Sequence, residues 1–334
     1  MREPSFWWRE GSGAAGALAP LAALYGAIAA WRMARPGARA KIPVLCAGNL
    51  TLGGSGKTPA AIAIAKLLTA AGERPFFLSR GYGGHLAGPL RVDPQTHRAA
   101  DVGDEPLLLA AVAPTIVARD RVAGAKMAQA AGASVIVMDD GLQNPSLYKD
   151  LALVVIDGRR GIGNARVFPA GPLRAPLAAQ LDRAHALLVI GPVSGAGNVV
   201  AAVTARKLPV FHGALAPDRA TISALGKNKV LAFAGIGDPE KFFQTLAAAG
   251  IEVALRKSFP DHHRYSRNEA AALMAQAERD GLTLLTTEKD IARMAGDPSL
   301  AALAAATRAL PVTLLLGDEN GFRQFLRERM TPSP

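Results

Sequence analysis

A glycine-rich stretch that ends in Lys57 and Thr58 is the segment best suited to chemistry. Residues 49–59 read NLTLGGSGKTP. In a phosphate-binding loop, backbone amides surround the phosphates at a helix start, a lysine reaches the same phosphates, and a threonine hydroxyl ligates Mg²⁺. The candidate nucleotide-binding residues are Gly53, Gly54, Ser55, Gly56, Lys57 and Thr58. Lys57 is also a candidate catalytic group, and Thr58 is a candidate metal ligand.

The sequence on both sides of this loop predicts the elements that must position it. An apolar stretch at 42–48 predicts a strand, and an apolar stretch that is closed by Gly72 predicts a helix. Strand, loop and helix in this order are the context that a P-loop requires. Thr51 stands where the usual pattern has its first glycine. A chance glycine-rich turn is the alternative, and the flanking elements favour the P-loop.

Two adjacent carboxylates, Asp139 and Asp140, follow another predicted strand. Residues 133–138 read ASVIVM and lead directly into DDGLQ. Ligands bind at the carboxyl ends of strands in open parallel sheets, so both carboxylates are candidate Mg²⁺ ligands, directly or through water. A simple Asp-Asp-Gly turn is the alternative. The sequence has no Asn-Lys-x-Asp element of the kind that guanine-specific proteins carry, which favours ATP.

Composition and charge narrow the class of protein and its partners. The chain has 334 residues, of which 50% are hydrophobic, and this excludes a disordered protein. The single cysteine, Cys46, excludes a disulfide framework and a cysteine-cluster metal site. A net charge of +11 suits nucleotide phosphates, nucleic acid or an acidic membrane surface. Sparse aromatic residues and the absence of Lys/Arg runs argue against nucleic acid.

The N-terminal region contains a long uncharged segment. Residues 11–31 carry no charge, and a helix of that length would be about 32 Å long, close to the thickness of a bilayer core. Its bulky side chains fall within one arc, and basic residues follow from Arg32. A cleaved signal peptide and a buried amphipathic helix are alternatives. We expect a membrane-associated helix that either spans the bilayer or, as its one-sided bulk favours, lies in the interface.

The remaining pattern predicts an α/β protein with a doubly wound sheet of the P-loop NTPase type and a second, smaller α/β domain. Strands are expected near 42–47, 75–79, 115–118, 134–138, 152–156 and 186–190, with helices between them. The expected divisions are a membrane-associated helix with its basic flank at 1–41, a P-loop domain at 42–208, a connector at 209–227 and a C-terminal α/β domain at 228–334. The site is expected between the domains, with closure on binding.

An ordered set of short motifs beyond the P-loop resembles the tetraacyldisaccharide 4'-kinase family, which phosphorylates the lipid A precursor of Gram-negative bacteria. The motifs are GNLT at 48–51, SRGYGG at 79–84, GDEP at 103–106, DDGLQ at 139–143, PAGPLR at 169–174, AGIG at 234–237, FPDH at 259–262 and TEKD at 287–290. The resemblance implies transfer of the γ-phosphoryl group of ATP to the 4'-hydroxyl of a tetraacyldisaccharide 1-phosphate, which gives lipid IVA.

The resemblance also implies roles for residues outside the P-loop. Asp104 is the expected acceptor of the sugar hydroxyl's proton, and His262 is its expected partner across the domain gap, with His263 as an alternative. Glu105 is expected in the outer shell of the metal. Residues expected to bind the anionic sugar phosphate or ATP are Arg80, Tyr82, Arg121 and Arg174.

A second class of function remains open at this point. A membrane-associated P-loop NTPase switch or metallochaperone would use the same loop to drive a partner and would need no Asp104–His262 pair. The kinase interpretation implies ATP and Mg²⁺ as cofactors, an anionic glycolipid substrate and the inner-membrane surface as partner, with no nucleic acid and no obligate protein partner. It implies a location on the cytoplasmic face of the inner membrane, peripheral or anchored by a single helix.

Overall fold

The computed structural model describes residues 3–330. Its strands are β1 (Val44–Gly48), β2 (Pro75–Ser79), β3 (Leu90–Arg91), β4 (Thr115–Val117), β5 (Val135–Asp139), β6 (Leu151–Asp157), β7 (Ala186–Ile190), β8 (Val210–Pro217), β9 (Val230–Ala234), β10 (Val253–Ser258), β11 (Thr283–Thr287), β12 (Thr307–Leu310) and β13 (Val312–Leu316).

The helices lie between these strands and at both ends of the described chain. They are α1 (Gly13–Ala17), α2 (Ala19–Met33), α3 (Lys57–Ala70), α4 (Ala99–Val102), α5 (Asp104–Ala110), α6 (Arg121–Ala130), α7 (Leu177–Leu181), α8 (Gly197–Ala205), α9 (Arg219–Leu225), α10 (Pro239–Ala248), α11 (Arg267–Arg279), α12 (Glu288–Met294), α13 (Ala301–Ala306) and α14 (Glu319–Met330). Short 3₁₀ turns occur at Ser5–Trp8 and Val193–Gly195.

The larger sheet has the order β13-β8-β7-β6-β1-β5-β2-β4-β3, with β1 near its centre. Its strands run parallel except at the two edges, where β3 and β13 are antiparallel to their neighbours. Successive residues of β1 are buried in different clusters, with Leu45 against α3 and Cys46 against α6. Helices therefore cover both faces of the sheet, which is why its strands are apolar throughout. This confirms the predicted doubly wound fold.

A smaller sheet, of order β10-β9-β11-β12, is parallel throughout. Its two faces pack on separate apolar clusters, one built around Phe233 with α11 and α13, the other around Phe243 with α9 and α10. This smaller unit, residues 219–310, corresponds to the second, smaller α/β domain that the sequence predicts, although its bounds differ from the expected 228–334. The rest of the described chain forms the larger unit.

The structure differs from the expected connector at 209–227. This stretch forms β8, which joins the larger sheet, and α9, which packs on the smaller one. Gly213 and Pro217 gave it a turn-like composition, but β8 pairs with β13, almost a hundred residues later in the chain. The residues after 311 also return to the larger unit, where Phe322 of α14 is buried in the main core. Only the pairing of distant segments defines these edges.

The N-terminal segment is broken into short helices. The chain turns at Leu18 between α1 and α2, and Pro20 lies in the first turn of α2. Among the described residues, no helix combines the length and the hydropathy that crossing a membrane would require. The side of α2 that carries small residues faces the rest of the protein, since Ala22 and Gly26 are buried. Its bulky side chains, Leu21, Leu24, Tyr25, Ile28 and Trp31, remain exposed.

Candidate active site

The glycine-rich loop takes the conformation of a P-loop and leads into the first turn of α3. Gly56 precedes the helix with φ of +89°, and Gly53 has φ of +92°. These angles belong to the left-handed region, where glycine is favoured. A Cβ at Gly56 would also lie only 2.5 Å from Cδ1 of Ile190. The loop therefore keeps its backbone amides at the start of α3, where an anion is stabilised.

Thr58 and Asp139 connect the P-loop to the end of β5. The Thr58 hydroxyl donates a hydrogen bond to Oδ2 of Asp139 at 2.9 Å, and both side chains are buried. The pairing of β1 with β5 causes this contact, because it sets the loop after β1 beside the last residue of β5. The two elements expected to share a metal ion are therefore adjacent.

Asp140 lies between two cations. Its Oδ2 is 3.7 Å from Nζ of Lys57, and its Oδ1 accepts a hydrogen bond from Nη1 of Arg174 at 2.9 Å. Arg174 also donates from Nε to the carbonyl of Thr51 at 2.9 Å. Arg174 thus connects the PAGPLR segment to both halves of the nucleotide site.

The two neighbouring carboxyl groups have opposite pKa shifts. Burial raises the pKa of Asp139 to about 6, with only partial compensation from Lys57. Burial acts in the same direction on Asp140, but the charges of Lys57 and Arg174 outweigh it and lower the pKa to about 2. Burial lowers the pKa of Lys57 as well. Asp139 consequently lacks a matched cation, whereas Asp140 has two.

Several buried polar atoms around the loop have no hydrogen-bond partner within the protein. They are Oγ of Ser55, Oδ1 of Asp139 and Oδ1 of Asn49. Unsatisfied buried polar atoms are uncommon and call for a ligand, an ion or water. A phosphate accepts hydrogen bonds from a hydroxyl, and Mg²⁺ prefers carboxylate and hydroxyl oxygens. The residues present therefore fit both a nucleotide and a divalent cation.

Asp104 occupies the first position of α5, at the boundary between the two units. The preceding Gly103 has φ of +91°, and a Cβ there would collide with the carbonyl of Tyr82. Oδ1 of Asp104 is 3.2 Å from Nδ1 of His262, which lies in the loop after β10. Oδ2 accepts a hydrogen bond from Nε of Arg293 on α12 at 2.7 Å. The smaller unit therefore contacts both oxygens of this carboxylate.

These contacts shift the ionisation of the pair. Burial tends to raise the pKa of Asp104, but the hydrogen bond with His262 and the charge of Arg293 hold it well below its usual range. Burial tends to lower the pKa of His262, but the carboxylate of Asp104 outweighs this and raises it. Both effects favour the charged forms of the two partners.

Glu105 and Lys289 form a second ionic contact between the units, with 2.8 Å between Oε1 and Nζ. Burial raises the pKa of Glu105 despite this lysine. Burial would lower the pKa of Lys289, but Glu105 and Asp104 outweigh it and raise the value. Asp104, Glu105 and His262 also place three ligand-type atoms within 4.8 Å of one another, a separation that suits a cation.

The remaining predicted residues are spread around this boundary. Tyr82 is 65% exposed and lies against His262, with 5.1 Å between ring centroids. Arg80 is exposed at the end of β2. Arg121 is buried at the start of α6 and donates to the carbonyl of Ala118. His263 points elsewhere, with Nε2 at 3.1 Å from Oε1 of Glu269, so the structure brings His262, not its neighbour, to Asp104.

Sequence reasoning did not single out Arg293, which makes the closest cationic contact with Asp104. Arg293 lies three residues after Asp290, the last residue of the TEKD motif. The spacing places the two residues side by side on a helix, because positions i and i+3 are neighbours there, but it carries no signal for a contact with Asp104. Glu3 was also missed, and its carboxylate lies beside Gly53 and contacts Arg160.

The chain is similar to known proteins over almost its whole length. Residues 14–331 match the family model described as Tetraacyldisaccharide-1-P 4'-kinase. A tetraacyldisaccharide 4'-kinase of Methylobacterium sp. is 59% identical over 331 residues, covering 99% of this chain and 97% of that protein. That of Nitrobacter winogradskyi is 54% identical over 328 residues, covering 98% and 97%. The crystal structure of "apo" form LpxK from Aquifex aeolicus in complex with ATP matches with a TM-score of 0.74 and 27% identity, covering 95% of this chain and 99% of that one.

Proposed function

This chain belongs to the tetraacyldisaccharide-1-P 4'-kinase family, and we propose that it transfers the γ-phosphoryl group of ATP to the 4'-hydroxyl of a tetraacyldisaccharide 1-phosphate, giving lipid IVA in lipid A biosynthesis. The observation that carries the proposal is that a nucleotide site and a candidate base lie at the boundary between the two units. The larger unit supplies a P-loop that faces Asp139 and Asp140, and the smaller unit supplies His262 to Asp104.

In this mechanism the protein's residues position the reactants and neutralise charge. The P-loop amides and Lys57 hold the phosphates of ATP and stabilise the charge that develops on the transferred group. Asp104 accepts the proton of the 4'-hydroxyl group while the oxygen of that hydroxyl attacks the γ-phosphorus, and ADP departs. A weak base is adequate here because bond breaking to the leaving group is far advanced in phosphoryl transfer. His262 orients the carboxylate of Asp104 and supports its charge.

Mg²⁺ fits the donor set next to the P-loop. Thr58 and Asp139 would hold it, because Oδ1 of Asp139 has no partner in the protein. Asp140 is the poorer direct ligand, since Lys57 and Arg174 already face its two oxygens, and it would act through water. Glu105 would belong to the outer shell. The ion would neutralise charge on the β- and γ-phosphates.

The substrate's own phosphate calls for cations at the edge of the same site. Arg174 and the exposed Arg80 are the candidates, because guanidinium groups bind phosphate through paired hydrogen bonds. Tyr82 offers an exposed ring and hydroxyl next to His262. Arg121 is buried, so it supports this region through its charge rather than through open contact.

The exposed face of α2 supports attachment to the cytoplasmic face of the inner membrane, with the helix lying in the interface. Tyr25 of this face touches Phe168, at 5.4 Å between centroids, in the segment that leads to Arg174. Arg32 and Arg35 follow at the end of the helix, where they suit an anionic lipid surface. A glycolipid held in the membrane would then lie close to the segment that carries Arg174.

The activity test incubates purified protein with labelled ATP and tetraacyldisaccharide 1-phosphate in detergent. Transfer of label to lipid is expected, and Asp104→Ala should lower kcat by about 10²-fold or more while ATP affinity stays similar. Steady ATP hydrolysis without labelled lipid would instead favour the NTPase switch. Near-wild-type turnover of Asp104→Ala would remove Asp104 from its role as the base.

The membrane test uses vesicles of zwitterionic lipid with and without anionic lipid. The double variant Leu24→Ser/Ile28→Ser should lose most vesicle binding, because it removes two exposed apolar side chains of α2. Ala23→Ser/Ala27→Ser is the matched control, since it adds the same hydroxyls at exposed positions of the same helix. Equal binding by the two double variants would refute attachment through this face.

A further inference from the structure

The carboxylate of Asp104 is held by two groups of the smaller unit that approach different oxygens. His262 faces Oδ1, whereas Arg293 donates from Nε to Oδ2 at 2.7 Å. Nη2 of Arg293 lies 2.6 Å from the same Oδ2. The side chains of Asp104 and Arg293 are only 3% and 5% exposed, so this ion pair is shielded from solvent and its geometry is restricted by packing.

Arg293 is itself fixed by a second buried carboxylate. Its Nη1 donates to Oδ1 of Asp290 at 2.8 Å and also to the carbonyl of Gly235. Asp290 is fully buried and accepts hydrogen bonds from the hydroxyl of Tyr265 at 2.8 Å and the hydroxyl of Thr287 at 2.6 Å. The guanidinium group therefore cannot turn away from Asp104 without breaking its hydrogen bonds with Asp290 and Gly235.

From this arrangement we propose that Arg293 is a second positioning residue for Asp104, beside His262, and that Asp290 and Gly235 fix the orientation of its guanidinium group. The inference rests on the proposed function, in which Asp104 accepts the proton. Arg293 does not touch the substrate in this role. Because its guanidinium occupies Oδ2, it leaves Oδ1, the oxygen shared with His262, to accept the proton of the 4'-hydroxyl as the new oxygen–phosphorus bond forms and ADP leaves.

The proposal gives the AGIG and TEKD motifs a common task. Gly235 belongs to the first motif and Asp290 to the second, and both bind Nη1 of Arg293. A lysine could supply the positive charge at this place, but it could not bind Asp104, Asp290 and a carbonyl at once in one plane. In this proposal the smaller unit orients the carboxylate of Asp104, which belongs to the larger unit. This orientation requires contact between the two units.

The test is a double-mutant cycle in the full-length protein with ATP and the tetraacyldisaccharide 1-phosphate. We expect Arg293→Ala to lower kcat by at least about tenfold, with the KM values for ATP and lipid changed by less than about threefold, and Arg293→Lys to fall between it and wild type. In an Asp104→Ala background, the same Arg293→Ala change should lower the residual rate by less than about twofold, because its effect acts through Asp104.

Two controls keep the result interpretable. Arg256→Ala removes an exposed arginine of the same unit, whose partner Glu240 is 3.6 Å away, and should leave kcat unchanged. Thermal unfolding and ATP binding of each variant report the loss of a buried ion pair separately from the loss of rate. If Arg293→Ala does not yield folded protein, Arg293→Lys takes its place in the cycle.

The outcomes separate this inference from the proposed function. Equal loss of rate in the wild-type and Asp104→Ala backgrounds would overturn the positioning role, because Arg293 would then act independently of Asp104. Near-wild-type kcat in Arg293→Ala would overturn it as well. Absence of lipid phosphorylation by the wild-type protein would refute the proposed function instead, before any variant is compared.

Discussion

Replacing Asp139 by asparagine should stabilise the ligand-free protein while impairing catalysis. The carboxylate of Asp139 is buried at the end of β5, where Oδ2 accepts one hydrogen bond from Thr58 and Oδ1 has no partner. Burial raises its pKa from 3.8 to about 6. This difference corresponds to a cost of about 3 kcal/mol for keeping the group ionised in the folded state above pH 6. Asparagine has a similar shape and no charge, so it avoids this cost.

The sign of the pH dependence follows from the same values. Between about pH 4 and pH 6 the folded protein keeps the proton on Asp139, whereas the unfolded chain has released it. The contribution of this group to stability is therefore present below about pH 4 and is lost as the pH rises through 6. The stability advantage of Asp139→Asn should be roughly 3 kcal/mol near pH 8 and about half that near pH 5.

Urea unfolding at the two pH values, with EDTA and without nucleotide, measures this difference. Asp157→Asn is the matched control, because Asp157 is likewise the last residue of a strand of the same sheet, β6. Asp157 is paired with Lys241, which lowers its pKa against the effect of burial, so its replacement should destabilise the protein. A less stable Asp139→Asn near pH 8, or an advantage that does not change with pH, would refute the reasoning. The kinase assay should show a loss of about 10²-fold or more, since a ligand for the cation is removed.

Other expected outcomes concern the P-loop and the core. Gly56→Ala should weaken ATP binding at least about tenfold, because φ of +89° is unfavourable for alanine and Ile190 must move. A titration with a fluorescent ATP analogue measures this, and unchanged affinity would contradict it. Phe322→Ala should cost about 3–5 kcal/mol in unfolding free energy, because this ring of α14 is 1% exposed in the main core. Gln324→Ala, at an exposed position of the same helix, is its control in the same urea series, and equal effects of the two changes would show that α14 does not complete the core.

Much of the larger sheet was predictable because its central strands are apolar runs next to recognisable loops. Each predicted strand from 42–47 to 186–190 has its counterpart, namely β1, β2, β4, β5, β6 and β7, since a strand buried on both faces leaves a clear hydrophobic signal. The edges were not predictable in this way. The side chains of β8 are only partly buried, and its partner β13 lies far away in the sequence.

The site shows the same division between local and distant contacts. Lys57, Thr58 and Asp139 were recognisable because a loop and a strand end carry their own local patterns. The pairing of Asp104 with His262 was available only through the family resemblance, since it joins positions 158 residues apart. Arg293 had no such motif of its own. Its importance arises from burial and from a contact between units, which a local pattern cannot reveal.

The chain passes between the two units twice, at neighbouring points. It leaves the larger sheet after Pro217 and returns at Pro311, and the amide of Asp218 donates to the carbonyl of Pro311 at 2.9 Å. During synthesis from the N-terminus, the smaller unit is therefore complete before β13 and α14 have been made. Until they emerge, β8 has an open edge and the core beside Phe211 lacks Phe322. The larger unit is thus begun before the smaller one is synthesised and gains β13 and α14 only after the smaller one is complete.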